Sequence, residues 1–128
     1  MGNVKLDAKA DIVHLLIQNG ADVAAQDDAQ STPLHLASSK GSVETVELLI
    51  KHRADVNALN VNLSTPLHLA ASSRLALEGG IVRLLLKHGA NIDAKDSEGW
   101  TPHQVASSEG NSWIAKLLSG HTRGGIRG

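Results

Sequence analysis

Cysteine is absent from this chain of 128 residues. Disulfide bridges, cysteine nucleophiles and cysteine-ligated metal ions are therefore excluded. A chain without cysteine is compatible with a reducing compartment, and we expect an intracellular, cytoplasmic protein. Aromatic residues are also scarce, with no phenylalanine, no tyrosine and two tryptophans. A core with so few aromatic rings must be aliphatic, which fits thin stacked helices better than a β-sandwich.

An excess of charge of either sign is missing as well. The chain has 12 basic and 13 acidic residues and a formal net charge of −1 at pH 7. Proteins that bind nucleic acid or anionic membranes usually present a basic patch, so we expect neither partner. No apolar run approaches the roughly 18 residues of a membrane-spanning helix, and no charged-then-apolar leader is visible. The sequence therefore predicts a soluble protein without a membrane partner.

A recurring motif is what the chain does contain. The letters Ser-Thr-Pro-Leu-His-Leu-Ala occupy 31–37 and return at 64–70, and a reduced form, Thr-Pro-His-Gln-Val-Ala, occupies 101–106. A motif that returns after 33 and then 36 residues is typical of a repeat array. The chain is therefore best interpreted one period at a time.

Each copy of the motif predicts the start of a helix. A threonine hydroxyl can accept from a free backbone N–H at a helix N-terminus, and a proline directly after it already has a helical φ and lacks the N–H that would be unpaired. These residues are Thr32 and Pro33, Thr65 and Pro66, and Thr101 and Pro102. We expect Leu34, Leu36 and Ala37, with their counterparts in the second copy, to form a buried stripe.

The motif, its period and the segments Gly-Ala-Asp-Val (20–23) and Gly-Ala-Asn-Ile (89–92) resemble the ankyrin repeat. The resemblance covers about 4–118. It implies an all-α fold with short β-turn hairpins, in which helix-turn-helix units stack into an ankyrin-repeat solenoid that binds another protein.

The period divides the chain into five predicted segments. These are a partial N-terminal repeat (1–26), a repeat (27–59), a repeat with a three-residue insertion (60–95), a C-terminal capping repeat (96–120) and a disordered tail (121–128). The insertion lies near 74–77, where it is either a tolerated bulge or added helical turn, or a contact site that uses Leu75 and Leu77. Polar residues such as His103 and Gln104 favour a cap for the last repeat.

The first repeat lacks most of its opening helix, so we expect a truncated chain or an atypical cap. An uncovered apolar side of a helix over 10–19 would favour self-association through the N-terminal repeat.

Seven histidines raise the question of metal binding or catalysis. His35 and His68 lie inside the motif, where a ring nitrogen can bridge backbone or threonine groups between hairpin and helix. No phosphate-binding loop, nucleophile elbow or zinc-protease motif is present. We therefore predict no enzyme activity, no cofactor and no metal site.

The resemblance implies a concave binding surface formed by hairpin tips and the exposed side of the first helices. The corresponding tip residues are Asp28, Ala29, Ser31, Val61, Asn62, Leu63, Ser64, Ser97, Glu98 and Trp100. The helix residues are Ser39, Lys40, Ser72, Ser73, Ser108 and Glu109, with Arg74 beside them. We expect an apolar centre of Val61, Leu63 and Trp100. Trp100 is the strongest candidate, although it could instead pack across the neighbouring tip.

Several positions depart from the ankyrin pattern or add to it. Glycine is expected two residues before the threonine, where Gln30 and Leu63 stand, and after the second helix, where Arg53 stands, so those turns are strained or change type. Trp113 is expected to cover the end of the stack. Asn57 resembles the asparagine that intracellular asparaginyl hydroxylases modify in ankyrin domains, although bonding to backbone is its first expected role.

The sequence thus predicts a non-catalytic scaffold or adaptor. Two alternatives stay open: a regulatory segment of a larger enzyme, channel or signalling protein, and a structural module that assembles with itself. The partner, the organism and the pathway do not follow from the sequence, because one fold serves many functions.

Overall fold

A computed structural model describes residues 19–74 and 79–120. The described residues form six α-helices and no strand. The helices are α1 (Pro33–Lys40), α2 (Val43–Lys51), α3 (Pro66–Ser72), α4 (Gly80–Lys87), α5 (Pro102–Ser108) and α6 (Ser112–Ser119). The predictions for the helix over 10–19, for Leu75 and Leu77 and for the tail 121–128 lie outside the described residues.

The helices pair and stack as the motif predicts. α1 packs on α2, α3 on α4, and α5 on α6, while α1, α3 and α5 form one continuous layer and α2 contacts α4 in the second. The all-α stack of helical pairs with short hairpin turns is therefore confirmed. The segment boundaries drawn from the period remain predictions.

The predicted helix starts are confirmed in all three motif copies. The hydroxyl of each threonine accepts from the backbone N–H three residues later, and the side chain at that later position accepts from the threonine N–H. This reciprocal arrangement satisfies two donors that the helix itself leaves unpaired. The threonine and its partner are Thr32 with His35, Thr65 with His68, and Thr101 with Gln104.

The core lies between the two layers and is aliphatic. Its fully buried side chains are Leu34, Val46, Leu49, Leu67, Ile81, Val82, Leu85, Ile114 and Leu118. Buried alanines at 70, 71 and 106 have no bulk beyond Cβ and let the neighbouring helices approach closely. One prediction is wrong, because Leu36 is 47% exposed instead of belonging to the buried stripe.

A close approach of two helices explains the glycine before α4. Gly79 is buried and has φ 79°, and a Cβ placed on it would lie 3.0 Å from Cδ2 of Leu117 and 3.3 Å from Nε1 of Trp113. A larger side chain would therefore clash with α6 as well as strain the backbone. The start of α4 therefore lies against the side chains of Trp113 and Leu117 of α6.

Candidate functional site

Three hairpins precede the first helices, and the same side-chain chemistry builds each of them. In the first hairpin, Oδ1 of Asp27 accepts from the backbone N–H groups of Ala29 (2.9 Å) and Ser31 (3.0 Å). Asn60 and Asp96 do the same two and four residues ahead, at 2.9 and 3.0 Å. A short polar side chain that bonds the backbone ahead of it favours a turn. The side chains of Asp27, Asn60 and Asp96 thus hold the turns by bonding their backbone. The other tip side chains do not take part in these bonds.

The hairpins keep a left-handed residue even where glycine is missing. Gln30 has φ 64°, Leu63 has φ 59° and Gly99 has φ 80°. The backbone N–H of each bonds the carbonyl three residues earlier, as in a three-residue hairpin loop that ends in a left-handed residue. The two predicted possibilities were a strained turn and a turn of another type. The turns at Gln30 and Leu63 keep their type and hold a strained residue. Leu63 is also 46% exposed, as the sequence suggested.

The histidines of the motif join neighbouring repeats. Nδ1 of His35 lies 3.0 Å from the backbone nitrogen of Thr32, which can only donate, so Nδ1 accepts and Nε2 carries the proton. Nε2 then donates to the carbonyl of Ser64 in the next repeat, at 2.8 Å. We call this arrangement a histidine bridge. The predicted structural role is confirmed, and the contact to the following repeat is an addition that the motif did not reveal.

A second histidine bridge follows one repeat later. Nδ1 of His68 accepts from the N–H of Thr65 at 3.1 Å, and Nε2 donates to the carbonyl of Trp100 at 2.8 Å. Both rings are buried, at 0% exposure for His35 and 2% for His68. Two of the seven histidines therefore have all their ring nitrogens occupied by backbone groups.

Burial also affects the charge of the first bridge. Desolvation lowers the pKa of His35 below its ordinary value and outweighs the Ser64 carbonyl and the Asp27 and Asp55 carboxylates, which raise it. The neutral ring is the form that the bonding requires, because a protonated Nδ1 would face the N–H of Thr32.

The tips themselves contact one another through backbone bonds. The N–H of Val61 donates to the carbonyl of Ala29, and the N–H of Ser97 donates to the carbonyl of Asn62, both at 2.9 Å. Their exposed side chains therefore form one strip, which we call the tip surface. It consists of Asp28, Ala29, Val61, Asn62, Leu63, Ser97, Glu98 and Trp100.

The structure places most of the other predicted contact residues near the surface and buries two. Lys40 and Arg74 are exposed, and Ser39, Ser64 and Ser72 are half-buried. Ser31 and Ser73 are buried, each 8% exposed, so their side chains have little surface to offer, and their contact with a partner stays a prediction. The backbone of Ser31 closes its hairpin with Asp27, and Oγ of Ser73 donates to the carbonyl of Ser39 at 2.6 Å.

Leu36 is the surface residue that sequence reasoning missed. It lies three and four residues before Ser39 and Lys40, so the three residues share one face of α1. That spacing was the available signal. The exposed apolar residues thus include Leu36 on α1 as well as Val61, Leu63 and Trp100 of the tip surface.

Trp113 occupies a different place from the predicted one. Its ring lies under the guanidinium of Arg83, 5.6 Å from the ring centroid, and close to Gly79. Both partners belong to the preceding repeat, so the prediction that Trp113 covers the end of the stack is wrong. The side chain is still 50% exposed.

Asn57 bonds backbone, as predicted, but in the following repeat. Its Nδ2 donates to the carbonyl of Gly89 at 3.0 Å, and its Oδ1 accepts from the N–H of Asn91 at 2.7 Å. An amide supplies both the donor and the acceptor that this pair of groups needs. Hydroxylation of Asn57 remains a prediction.

Within 19–74 and 79–120, no three His, Asp or Glu side chains lie close enough together to hold a metal ion. In the same two ranges, no helix is long and apolar enough to cross a bilayer.

Helical pairs stacked in one direction and joined by backbone-bonded hairpins define the class of repeat proteins that build extended binding surfaces. The family model described as ankyrin repeats (3 copies) matches residues 4–96 and 74–126, so the chain belongs to the ankyrin-repeat family. Members of this family are generally protein–protein interaction modules and typically are not enzymes. No curated protein matches the chain.

Proposed function

We propose that this chain is a non-catalytic scaffold or adaptor, of cytoplasmic location, that binds one partner protein through the tip surface and the adjoining face of α1 and α3. One observation supports this most directly. The bonds that hold the three hairpins repeat from unit to unit, whereas the exposed tip side chains differ in every unit. Side chains that vary on a repeated framework can carry specificity without disturbing the fold.

The chemistry of the tip surface indicates the kind of partner. Its centre is apolar, since Val61 is 55% and Trp100 is 39% exposed beside Leu63. The tip surface carries carboxylates at Asp28 and Glu98, and exposed cations lie at Lys40, the last residue of α1, and at Arg74, two residues after the end of α3. A partner that inserts apolar side chains at the centre and places polar groups of both signs at the rim fits this surface.

Trp100 gives the sharpest test. Its backbone carbonyl is held by His68, so its side chain projects from a fixed position at low entropic cost. Replacing Trp100 by alanine should weaken partner binding by more than about 1 kcal/mol and leave the fold unchanged. Affinity would be measured by calorimetry with a partner first obtained by pull-down, and folding by circular dichroism.

Trp113→Ala is the matched control, because it removes an equally large, half-exposed ring away from the tips. Equal losses for the two variants, or no loss for Trp100→Ala, would remove the tip surface from the binding site.

A further inference from the structure

A groove lies between α2 and α4, in the second layer of the stack. Three residues of α2 and three at the end of α4 line it, each trio at spacings of three and four residues that place it on one face of its helix. They are Glu47, Ile50 and Lys51, and Leu84, Lys87 and His88. The groove has a volume of about 410 Å³, within the range of roughly 300–1,000 Å³ that ligand pockets occupy. We call it the second-layer groove.

The second-layer groove has apolar walls and a cationic rim. Ile50 and Leu84 are half-buried and pack against the hydrophobic core. Lys51 and Lys87 are exposed and occupy equivalent positions, as the last residues of α2 and α4. A lysine can lay its methylene chain along apolar surface while its ammonium group stays in water. The groove therefore offers hydrophobic contact with two positive charges beside it.

Both lysines also have a structural explanation, because a cation in the last turn of a helix is favoured by the helix dipole. That effect acts on each helix separately. It does not require two helix ends to face one open groove, as they do here. Within 19–74 and 79–120, neither Lys51 nor Lys87 forms an ion pair, so both charges are available to a ligand.

We propose that the second-layer groove binds an acidic segment of a partner protein. An apolar side chain of that segment lies between Ile50 and Leu84, and its carboxylates pair with Lys51 and Lys87. The argument is charge complementarity at the rim of an apolar groove. A ring N–H of His88 can donate to a carboxylate as well. The proposal concerns the second layer and does not depend on the proposed function.

Glu47 gives the groove a direction. It lies four residues before Lys51, about one helical turn away, and places a negative charge on the same groove. Carboxylates of the ligand are repelled there and attracted by the lysines. The acidic residues of the segment therefore lie at the ends of α2 and α4, and the residue nearest Glu47 is neutral or basic.

Nucleic acid is a poorer occupant of this groove. Single strands bind in basic grooves whose aromatic side chains stack on the bases, and none of the six described lining residues is aromatic. Glu47 also repels phosphate groups. The tip surface is a poorer place for an acidic segment, because its charged side chains are the carboxylates of Asp28 and Glu98. An acidic ligand therefore distinguishes the second-layer groove from the tip surface.

Titration of the ¹⁵N-labelled full chain with an unlabelled peptide, followed by NMR, tests the proposal. The probe is acetyl-Ser-Leu-Leu-Asp-Glu-Asp-amide, and the control peptide carries Asn-Gln-Asn in place of its acidic residues. We expect the acidic peptide to shift the backbone amides of Lys51, Lys87 and His88 saturably, and to bind more weakly at higher salt. The neutral peptide should bind at least about threefold more weakly.

Matched lysine pairs separate the groove from the net charge of the protein. Lys51→Gln combined with Lys87→Gln should weaken binding of the acidic peptide about three- to tenfold, because two exposed ion pairs are lost. Lys95→Gln combined with Lys116→Gln removes the same charge from exposed positions outside the groove and should change the affinity less than about twofold. Glu47→Gln should strengthen binding about twofold. Urea unfolding of each variant records separately any loss of stability at the helix ends.

Equal losses for the two lysine pairs, equal binding of the acidic and neutral peptides, or no shift with either would overturn the proposal. So would an oligothymidylate that binds more tightly than the acidic peptide at the same amides, because the groove would then belong to nucleic acid. Sedimentation of the natural chain as a dimer that Lys51→Gln with Lys87→Gln dissociates would assign the groove to a second copy instead.

Discussion

The internal repeats and the last repeat solve the same two local problems differently. In the internal repeats a buried histidine closes the capping box and reaches the next unit, while the hairpin holds Gln30 or Leu63 in a left-handed conformation. In the last repeat an exposed glutamine closes the box, and the left-handed position belongs to Gly99. Bridges to the next unit thus coincide with strained turns, and the relaxed turn belongs to the repeat without a bridge.

The stabilisation that the capping motif supplies therefore depends on the repeat that follows it. The capping boxes have nearly the same geometry in all three repeats. Only a following repeat buries the bridge and gives its second ring nitrogen an acceptor, and a bond shielded from water costs more to break. A repeat that is bonded to the following one can therefore retain an unfavourable backbone conformation.

Breaking a histidine bridge should have the largest effect on stability. His68→Ala removes a side chain that is 2% exposed, leaves the N–H of Thr65 without a partner and takes away one of the two donors to the carbonyl of Trp100, which keeps the N–H of Asp96. The buried N–H left unpaired, together with the lost packing, should lower the free energy of unfolding by about 2–4 kcal/mol. Urea denaturation would measure the loss.

Gln104→Ala is the matched variant in the last repeat, where the side chain closes the same capping box in solvent. It should cost about 0.5–1 kcal/mol. Similar costs for the two variants would mean that the next repeat adds little to the motif.

Much of this framework could be predicted from the sequence. The caps at Thr32, Thr65 and Thr101 follow from the local chemistry of Thr-Pro, and the left-handed conformation of Arg53 follows from its register with glycine. Such features depend on a few neighbouring residues, and a repeat sequence shows those residues more than once.

The candidate site was less accessible to such reasoning, because exposure depends on what the neighbouring repeat covers. Leu36 was expected in the core and lies outside, and Ser31 and Ser73 were expected outside and are buried. Trp113 contacts Arg83 across two repeats, a pairing that register alone does not show.

Glycine substitutions should relieve the backbone strain in the internal repeats. A non-glycine residue in the left-handed region costs about 1–2 kcal/mol, partly offset because glycine also loosens the unfolded chain. Leu63→Gly, at φ 59°, and Arg53→Gly, at φ 69°, should each stabilise the protein by about 1 kcal/mol and raise its melting temperature by about 4 °C. Differential scanning calorimetry would record the shift.

Gly99→Ala should have the opposite sign. No heavy atom lies within 4 Å of a Cβ built at this position, so the variant adds backbone strain at φ 80° and no clash. A gain in stability from Gly99→Ala, or a loss from Leu63→Gly, would show that side-chain contacts at the tips outweigh the conformation.

The smallest expected effect concerns pH, because opposing influences act on His35. Burial lowers its pKa, whereas the Ser64 carbonyl and nearby carboxylates raise it. Since the folded-state pKa is the lower one, the unfolded chain binds more protons just below pH 6.5. The contribution of His35 is therefore complete above pH 6.5 and is lost as the pH falls towards the folded-state pKa.

His35→Gln isolates this contribution, because it introduces the residue type that closes the capping box in the last repeat, Gln104. A glutamine can accept from Thr32 and donate to Ser64 without titrating. The variant should remain folded at pH 8, and its unfolding free energy should fall less than that of the natural chain between pH 7 and pH 5. An identical slope for both proteins would place the pH dependence on other groups and leave the bridge insensitive to acid.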